Sequence, residues 1–222
     1  MKYSSGTDVL RAIASLCERD VVVIPTETSY VLACNALDEE AVAIFSELTA
    51  LFPESIPELF VPDFDSASKY ARNIPEVYGQ LARRFSPGQL GYLLKGRYMI
   101  SDTITDPEGR VAVRVPAHPL TLQLLGRIGF PLAVATIPME MGVSHTAIEA
   151  AEMVGASVGY VLDGGASAVG KPATIIGLDG EEHVIYRTGS VSRESIEGEM
   201  STPVVMNIIP MIAEPVRLFG RS

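Results

Sequence analysis

Thr26, Glu27, Thr28 and Ser29 come directly after the apolar run Val21–Ile24 and Pro25, and Tyr30 closes the group. Hydroxyls and a carboxylate at the end of a strand supply both donors and acceptors, a set suited to a small polar ligand such as an amino acid. The same residues would equally satisfy a turn in which the hydroxyls cap backbone groups. Arg114 stands in the apolar stretch VAVRVP and alternates with Val113 and Val115, so it faces away from them and needs an anion or a carboxylate as partner. Arg187, in VIYRTG, repeats the pattern. Two such arginines point to an anionic ligand; a structural ion pair is the other reading.

A glycine-rich stretch, Gly165 to Lys171, has the spacing of a phosphate loop, but Pro172 stands where the magnesium-binding hydroxyl belongs. A phosphate loop also needs a helix behind it, and Ala173–Ile176 reads as a strand. A plain connection is the reading here. His118, His145 and His183 lie far apart with no ligand spacing, so no metal site is expected.

The elements that must position these residues are legible from periodicity and caps. Thr7 or Asp8 caps a first helix, and Val21–Ile24 and Tyr30–Cys34 are strands flanking the polar turn. Asp38 caps a helix rich in early acids, ended by Pro53 and Pro57. Glu58–Val61 is a short strand, Asp63 or Asp65 opens a short helix to Tyr70, and Pro75 opens another through Arg84. Leu90–Leu94, Arg110–Val115, Leu132–Ala135, Ser157–Leu162, Ala173–Leu178 and His183–Arg187 are strands; Pro119–Ile128 and Ser144–Val154 are helices, the latter capped by Ser144. Strands interleave with helices irregularly, which predicts an α/β fold with a twisted mixed β-sheet and helices on its faces. The last residues, 199–222, lack helix periodicity but are too apolar to float free, so a C-terminal tail is expected to pack on the body.

The chain has 222 residues, 47% of them hydrophobic and 20% charged, enough for one large domain with a full core. Its net charge of −10 opposes tight nonspecific binding to nucleic acid. No apolar run is long enough to span a bilayer, and the N-terminus reads as an amphipathic helix, not a signal peptide. Cys17 and Cys34 lie in apolar segments and read as reduced core residues, which predicts a cytoplasmic protein; the acidic balance and short apolar runs predict no DNA and no membrane partner.

Taken in order, these pieces resemble the YrdC-like family, which includes the threonylcarbamoyl-adenylate synthases. PTETSYVL at Pro25–Leu32 is similar to that family's PT[DE]TxYGL. Pro87-Gly88, Ala112–Pro119, Ala135–Gly142, Gly170–Ile175 and Arg187-Thr188-Gly189 match its later elements, PGPxT, AVRxPxHP, TSANxSG, GxPSTV and RxG, over residues 7–198. The resemblance implies a YrdC-like fold with a deep ligand cleft. It also implies synthesis of threonylcarbamoyl-adenylate from threonine, bicarbonate and ATP with magnesium, for a tRNA adenosine modification. Thr28 and Tyr30 would fall in the threonine pocket, beside Thr26, Thr136 and Thr174, with Arg114 and Arg187 near carboxylate and phosphates. Implied partners are tRNA and tRNA-modification proteins, and the family has been linked to double-stranded RNA.

The chain departs from the pattern on one side. Thr49 and Leu51 occupy the positions of a KxR pair that clamps phosphates, and from Asp20 to Ser68 there is no Lys or Arg but ten acidic residues. Gly91 replaces the threonine of PGPxT, Pro138 the asparagine of TSAN, and Ala173 the serine of GxPSTV. Each loss removes a donor to the nucleotide, worth about 1.5–3 kcal/mol where it is charge-assisted. The first expectation is therefore a divergent YrdC-like protein that binds a small anionic ligand (threonine, an adenylate or a carbamoylated product) with its ATP site degraded. The alternatives are an active synthase and an RNA-binding or translation-associated module without catalysis.

Overall fold

Alternating apolar residues on both sides of each strand require cover on both faces of the sheet, and the computed structural model shows helices on both. It describes residues 4–50, 57–139, 142–168, 171–200 and 202–206. In chain order the elements begin with β1 (Ser5–Gly6), α1 (Val9–Cys17), β2 (Val22–Pro25), β3 (Tyr30–Asn35), α2 (Glu39–Thr49) and β4 (Glu58–Phe60). Next come α3 (Ala67–Tyr70), β5 (Ala71–Arg72), α4 (Glu76–Phe85), β6 (Leu90–Gly96), β7 (Arg110–Arg114), α5 (Pro119–Ile128) and β8 (Leu132–Thr136). The chain continues through β9 (Pro138–Met139), β10 (Gly142–Val143), α6 (Ala147–Val154), β11 (Tyr160–Leu162), β12 (Thr174–Asp179), β13 (Glu182–Arg187), α7 (Arg193–Met200) and β14 (Val204–Met206).

One mixed sheet runs β1-β11-β2-β3-β8-β4-β7-β6-β12-β13-β14, and β5 pairs with the far end of β6. The expected α/β fold with a mixed sheet is what forms. On one face α1 and α5 bury Val9, Leu16, Leu124 and Leu125 against Val22, Ile24, Val31 and Leu132. On the other, α2, α4, α6 and α7 bury Phe45, Tyr78, Val154 and Ile196 against Val23, Leu32, Val113 and Ile176. Neighbouring residues of β2 and β3 thus serve opposite cores, which fixes their register: a slip of one residue would exchange the two faces.

Several sequence expectations need correcting. Ser144 does not cap α6; Thr146 does, in a capping box with Glu149. Ser144 instead continues the sheet, its carbonyl accepting from Tyr30 N and its amide donating to Ile137 O. Cys17 is exposed at the end of α1, because the apolar face of that helix turns Ala12 and Leu16 inward, whereas Cys34 is buried. The helix α7 was not anticipated. Beyond it, Val204–Met206 adds a parallel strand to β13, with Val204 buried, while Ile208 and Ile209 lie outside the described residues. Leu51, Pro53 and the end expected there for the second helix also lie outside them. Among the described residues no helix is long and apolar enough to cross a membrane.

Candidate active site

The polar turn is built around one hydroxyl. Thr26 Oγ1 accepts from the amides of Thr28 (3.1 Å) and Ser29 (3.0 Å), lies 2.8 Å from Thr28 Oγ1 and donates to Ser29 O at 2.7 Å. All three residues are buried. Pro25 ends β2 with its carbonyl held by Thr121 of α5, so the turn is clamped from below. The glycine-rich stretch folds over it: Ser167 Oγ donates to Thr26 O at 2.9 Å, and Tyr30 OH donates to Gly165 O at 2.6 Å while accepting from Gly164 N at 3.0 Å. Burial pushes the Tyr30 phenol up to about 12, so it stays protonated and serves as a fixed post. Gly164 is required where it stands, since a Cβ there would meet the His118 ring at 2.5 Å and Pro25 at 2.7 Å. Lys171 and Pro172 lead into β12 and not into the helix that a phosphate loop needs behind it.

Beside the turn lies a buried network of alternating charge. Arg114, 2% exposed, donates through Nη2 to Glu27 Oε1 and through Nε to Gly88 O at 2.8 Å, and its Nη2 lies 3.4 Å from Thr28 Oγ1. Glu27 is steadied by the amide of Ala117 at 2.9 Å. Glu58, at the start of β4, joins the two arginines: Oε1 accepts from Arg187 Nη2 at 2.5 Å, and Oε2 lies 3.5 Å from Arg114 Nη1. Burial would raise the Glu58 pKa, but Arg187 and Arg114 outweigh it and hold the carboxyl below the ordinary range. Oε2 makes no hydrogen bond among the described residues.

The sheet explains why these residues meet. β7 and β13 contribute their C-terminal ends, with Arg114 and Arg187, while β6 and β12 contribute their N-terminal ends, with Gly91 and Thr174. Thr26, Thr28, Arg114 and Arg187 are thus linked in one network through Glu27 and Glu58, while the Tyr30 hydroxyl stands apart on Gly164 and Gly165. Thr136 lies opposite Val31 across β3 and β8 and is half-buried. The hydroxyl of Thr174 is engaged within the RxG turn: it donates to Val191 O at 2.7 Å and accepts from the amides of Gly189 and Val191, both at 3.1 Å. Thr49 sits at the end of α2 with its hydroxyl on Ser46 O. Pro138 is half-buried in β9, Ala173 is buried with its carbonyl accepting from Arg187 Nε at 2.8 Å, and Leu51 lies outside the described residues. Gly91 leaves room beside Glu58, since a Cβ there would sit 3.8 Å from Oε2.

Glu27 and Glu58 are the site residues that reading the sequence passed over as ligands of the arginines. Glu58 had a detectable signal: a carboxylate in the apolar strand ELFV needs a cation as much as Arg114 needs an anion. With both counted, the network holds Arg114 and Arg187 against Glu27 and Glu58, and its formal charge is zero. A neutral group of paired charges can offer a donor and an acceptor together, which suits a zwitterion better than a polyanion.

Fold and site define an α/β domain with a hydroxyl-lined turn facing paired arginines. The family model Sua5_yciO_yrdC, described as "Telomere recombination", matches residues 15–189, and the chain belongs to that family. A threonylcarbamoyl-AMP synthase of Pyrococcus abyssi is 33% identical over 181 residues, 81% of this chain and 53% of that protein. The structure of P. abyssi Sua5 complexed with L-threonine superposes with a TM-score of 0.80 at 29% identity, covering 91% of this chain and 62% of that one. Escherichia coli YciO, at 21% identity, shares the fold with a TM-score of 0.76 over 88% of this chain and 98% of that one. The chain spans about half the length of the first curated relatives it matches, 53% and 57% of two synthases.

Proposed function

We propose that this chain carries threonylcarbamoyl-AMP synthase chemistry, joining threonine, bicarbonate and ATP into the adenylate used to modify a tRNA adenosine. The observation that carries the reading is the turn Thr26–Tyr30, held rigid beside Arg114 in a chain 33% identical to a synthase. Threonine is a zwitterion with a hydroxyl. Its carboxylate suits Arg114, its ammonium suits Glu27 or Glu58 Oε2, which makes no hydrogen bond among the described residues, and its hydroxyl suits Thr28. Carbamoylation joins the nitrogen of threonine to the bicarbonate carbon with loss of one water, the nitrogen giving up a proton, and leaves an N-carboxylate. Adenylation then transfers AMP to the carbamate oxygen and releases pyrophosphate. What these residues supply is positioning: a fixed amino group, a fixed carboxylate and walls that exclude water. Magnesium in such a reaction arrives on the triphosphate, and no cluster of three or more potential metal ligands occurs among the described residues. tRNA and the proteins that use the adenylate are the partners this reading implies.

A second reading is favoured by one specific observation. Arg114 and Arg187 are already neutralised by Glu27 and Glu58, and Asp20–Ser68 offers no other cation, so a triphosphate meets little free positive charge. On this reading the chain binds threonine, an adenylate or a carbamoylated product without turning ATP over. Calorimetric titration with threonine, AMP and ATP–magnesium separates the two. The synthase reading requires ATP to bind in the presence of threonine and bicarbonate. Binding of threonine with no response to ATP under any combination would favour the second.

A further inference from the structure

Arg72 of β5 and Lys95 of β6 are direct cross-strand partners, and on the other side of β6 Lys95 is paired in register with Arg110 of β7. Three cations therefore form a row across three strands on one face of the sheet. Like charges placed opposite each other are destabilising unless an anion intervenes. Arg110 has its anions, Asp106 at 2.7 Å and Glu108 at 3.4 Å. Arg72 and Lys95 have no carboxylate within ion-pair distance among the described residues; Lys95 donates only to the carbonyl of Glu108. Arg97, just past the end of β6, lines the same cavity as Lys95, and its side chain donates only to the carbonyl of Ser68, at 3.0 Å.

Arg72, Lys95 and Arg97 line a cavity of about 390 Å³ together with Gly96, Tyr98 and Gly109. Two of its lining residues are glycines, and Gly109 holds the left-handed conformation that glycine favours, with φ +68°. Tyr98 stands at the margin with 96% of its surface in water. One carboxylate, Asp102, also lines the cavity, leaving the surroundings cationic by two charges. In a chain of net charge −10 such a concentration of unpaired cations is local and opposes the overall field. The cavity is separate from the candidate active site, because Lys95 lies four residues, about 13 Å, along β6 from Gly91.

We propose that this cavity is a second binding site, for a phosphate ester that carries a planar aromatic group, with the phosphate on Arg72, Lys95 and Arg97 and the ring stacked on Tyr98. A nucleotide has this chemistry, either free or as a residue of a single strand. Guanidinium groups hold phosphate by paired, charge-assisted hydrogen bonds, and an exposed tyrosine offers a stacking platform.

The test is equilibrium binding of two probes, AMP and an adenosine hexaribonucleotide, to the full chain, to Arg72→Ser/Arg97→Ser and to Tyr98→Ser. All three positions are exposed, and thermal melting confirms that the variants fold. Loss of both cations should weaken either probe about tenfold or more, and Tyr98→Ser should weaken it severalfold. AMP bound as tightly as the hexanucleotide identifies the free nucleotide as the ligand; a preference for the hexanucleotide with a log–log salt slope near about −2 identifies the strand. Either one supports the site when the double variant loses it. Failure of both probes to bind wild type at millimolar concentration overturns it, as does unchanged affinity and stoichiometry in the double variant. The double variant leaves the candidate active site untouched, so AMP binding that it retains belongs to that site.

Discussion

Glu58 Oε1 and Arg187 Nη2 lie 2.5 Å apart, with Glu58 4% exposed, so the arginine that the sequence assigns to an anionic ligand is held by an internal carboxylate. The other oxygen of Glu58 faces Arg114 at 3.5 Å. One buried acid therefore sets how much positive charge the site can offer. Replacing Glu58 by Gln leaves two arginines short of one anion, at a cost of about 3 kcal/mol, as when one partner of a buried pair is removed. The variant should regain stability in phosphate more than wild type does, because the anion fills the vacated role. Urea unfolding with and without phosphate checks this; equal gains in both proteins would show that Glu58 does not govern anion binding.

The same carboxylate gives a pH dependence with a definite sign. Its folded pKa lies below the ordinary value of 4.5, so its contribution to stability is complete above that value. The contribution is lost as pH falls through the lower, folded value. The difference in unfolding free energy between wild type and Glu58→Gln should therefore shrink as pH falls from about 6 to about 3. A difference that stays constant over that range would contradict the assignment.

Thr26→Val removes the acceptor for two buried amides, those of Thr28 and Ser29. Each unsatisfied group costs about 1–3 kcal/mol, so the turn should loosen even though valine fills the same volume. Threonine titration should show affinity lost by about tenfold or more, with the far-ultraviolet spectrum unchanged. Undiminished affinity would mean that the turn does not shape the pocket.

Gly189 has no room for a side chain: a Cβ would lie 2.3 Å from Pro172 O and 2.4 Å from Ala173 C, both backbone. Gly189→Ala must displace the strand that holds Thr174 and the Ala173 carbonyl on Arg187. The expected result is a loss of about 2–4 kcal/mol in chemical unfolding, far beyond an ordinary surface change. A loss below about 0.5 kcal/mol would show that the RxG turn yields without cost.

Local signals were read well where the chain itself supplies the partner. Pro119–Ile128 has its expected bounds: Pro119 opens the helix and Gly129 closes it in the left-handed region. The turn after Val21–Ile24 was legible because a buried run ends at Pro25 and polar residues follow at once. Partners distant in sequence were not. Glu58 and Arg187 are 129 positions apart, and only the order of β4, β7, β6, β12 and β13 brings them together. Ser144 and Thr146 both had capping chemistry, and only the pairing of Ser144 with Tyr30 decides between them. The row Arg72–Lys95–Arg110 was equally hidden, since it exists only as strand register.

Pyrophosphate release from ATP–magnesium, measured with threonine and bicarbonate together and with each left out, tests the central claim most directly. Release should need both co-substrates and yield threonylcarbamoyl-AMP by mass. Folded chain that binds threonine yet releases no pyrophosphate above the background of each omission would contradict it.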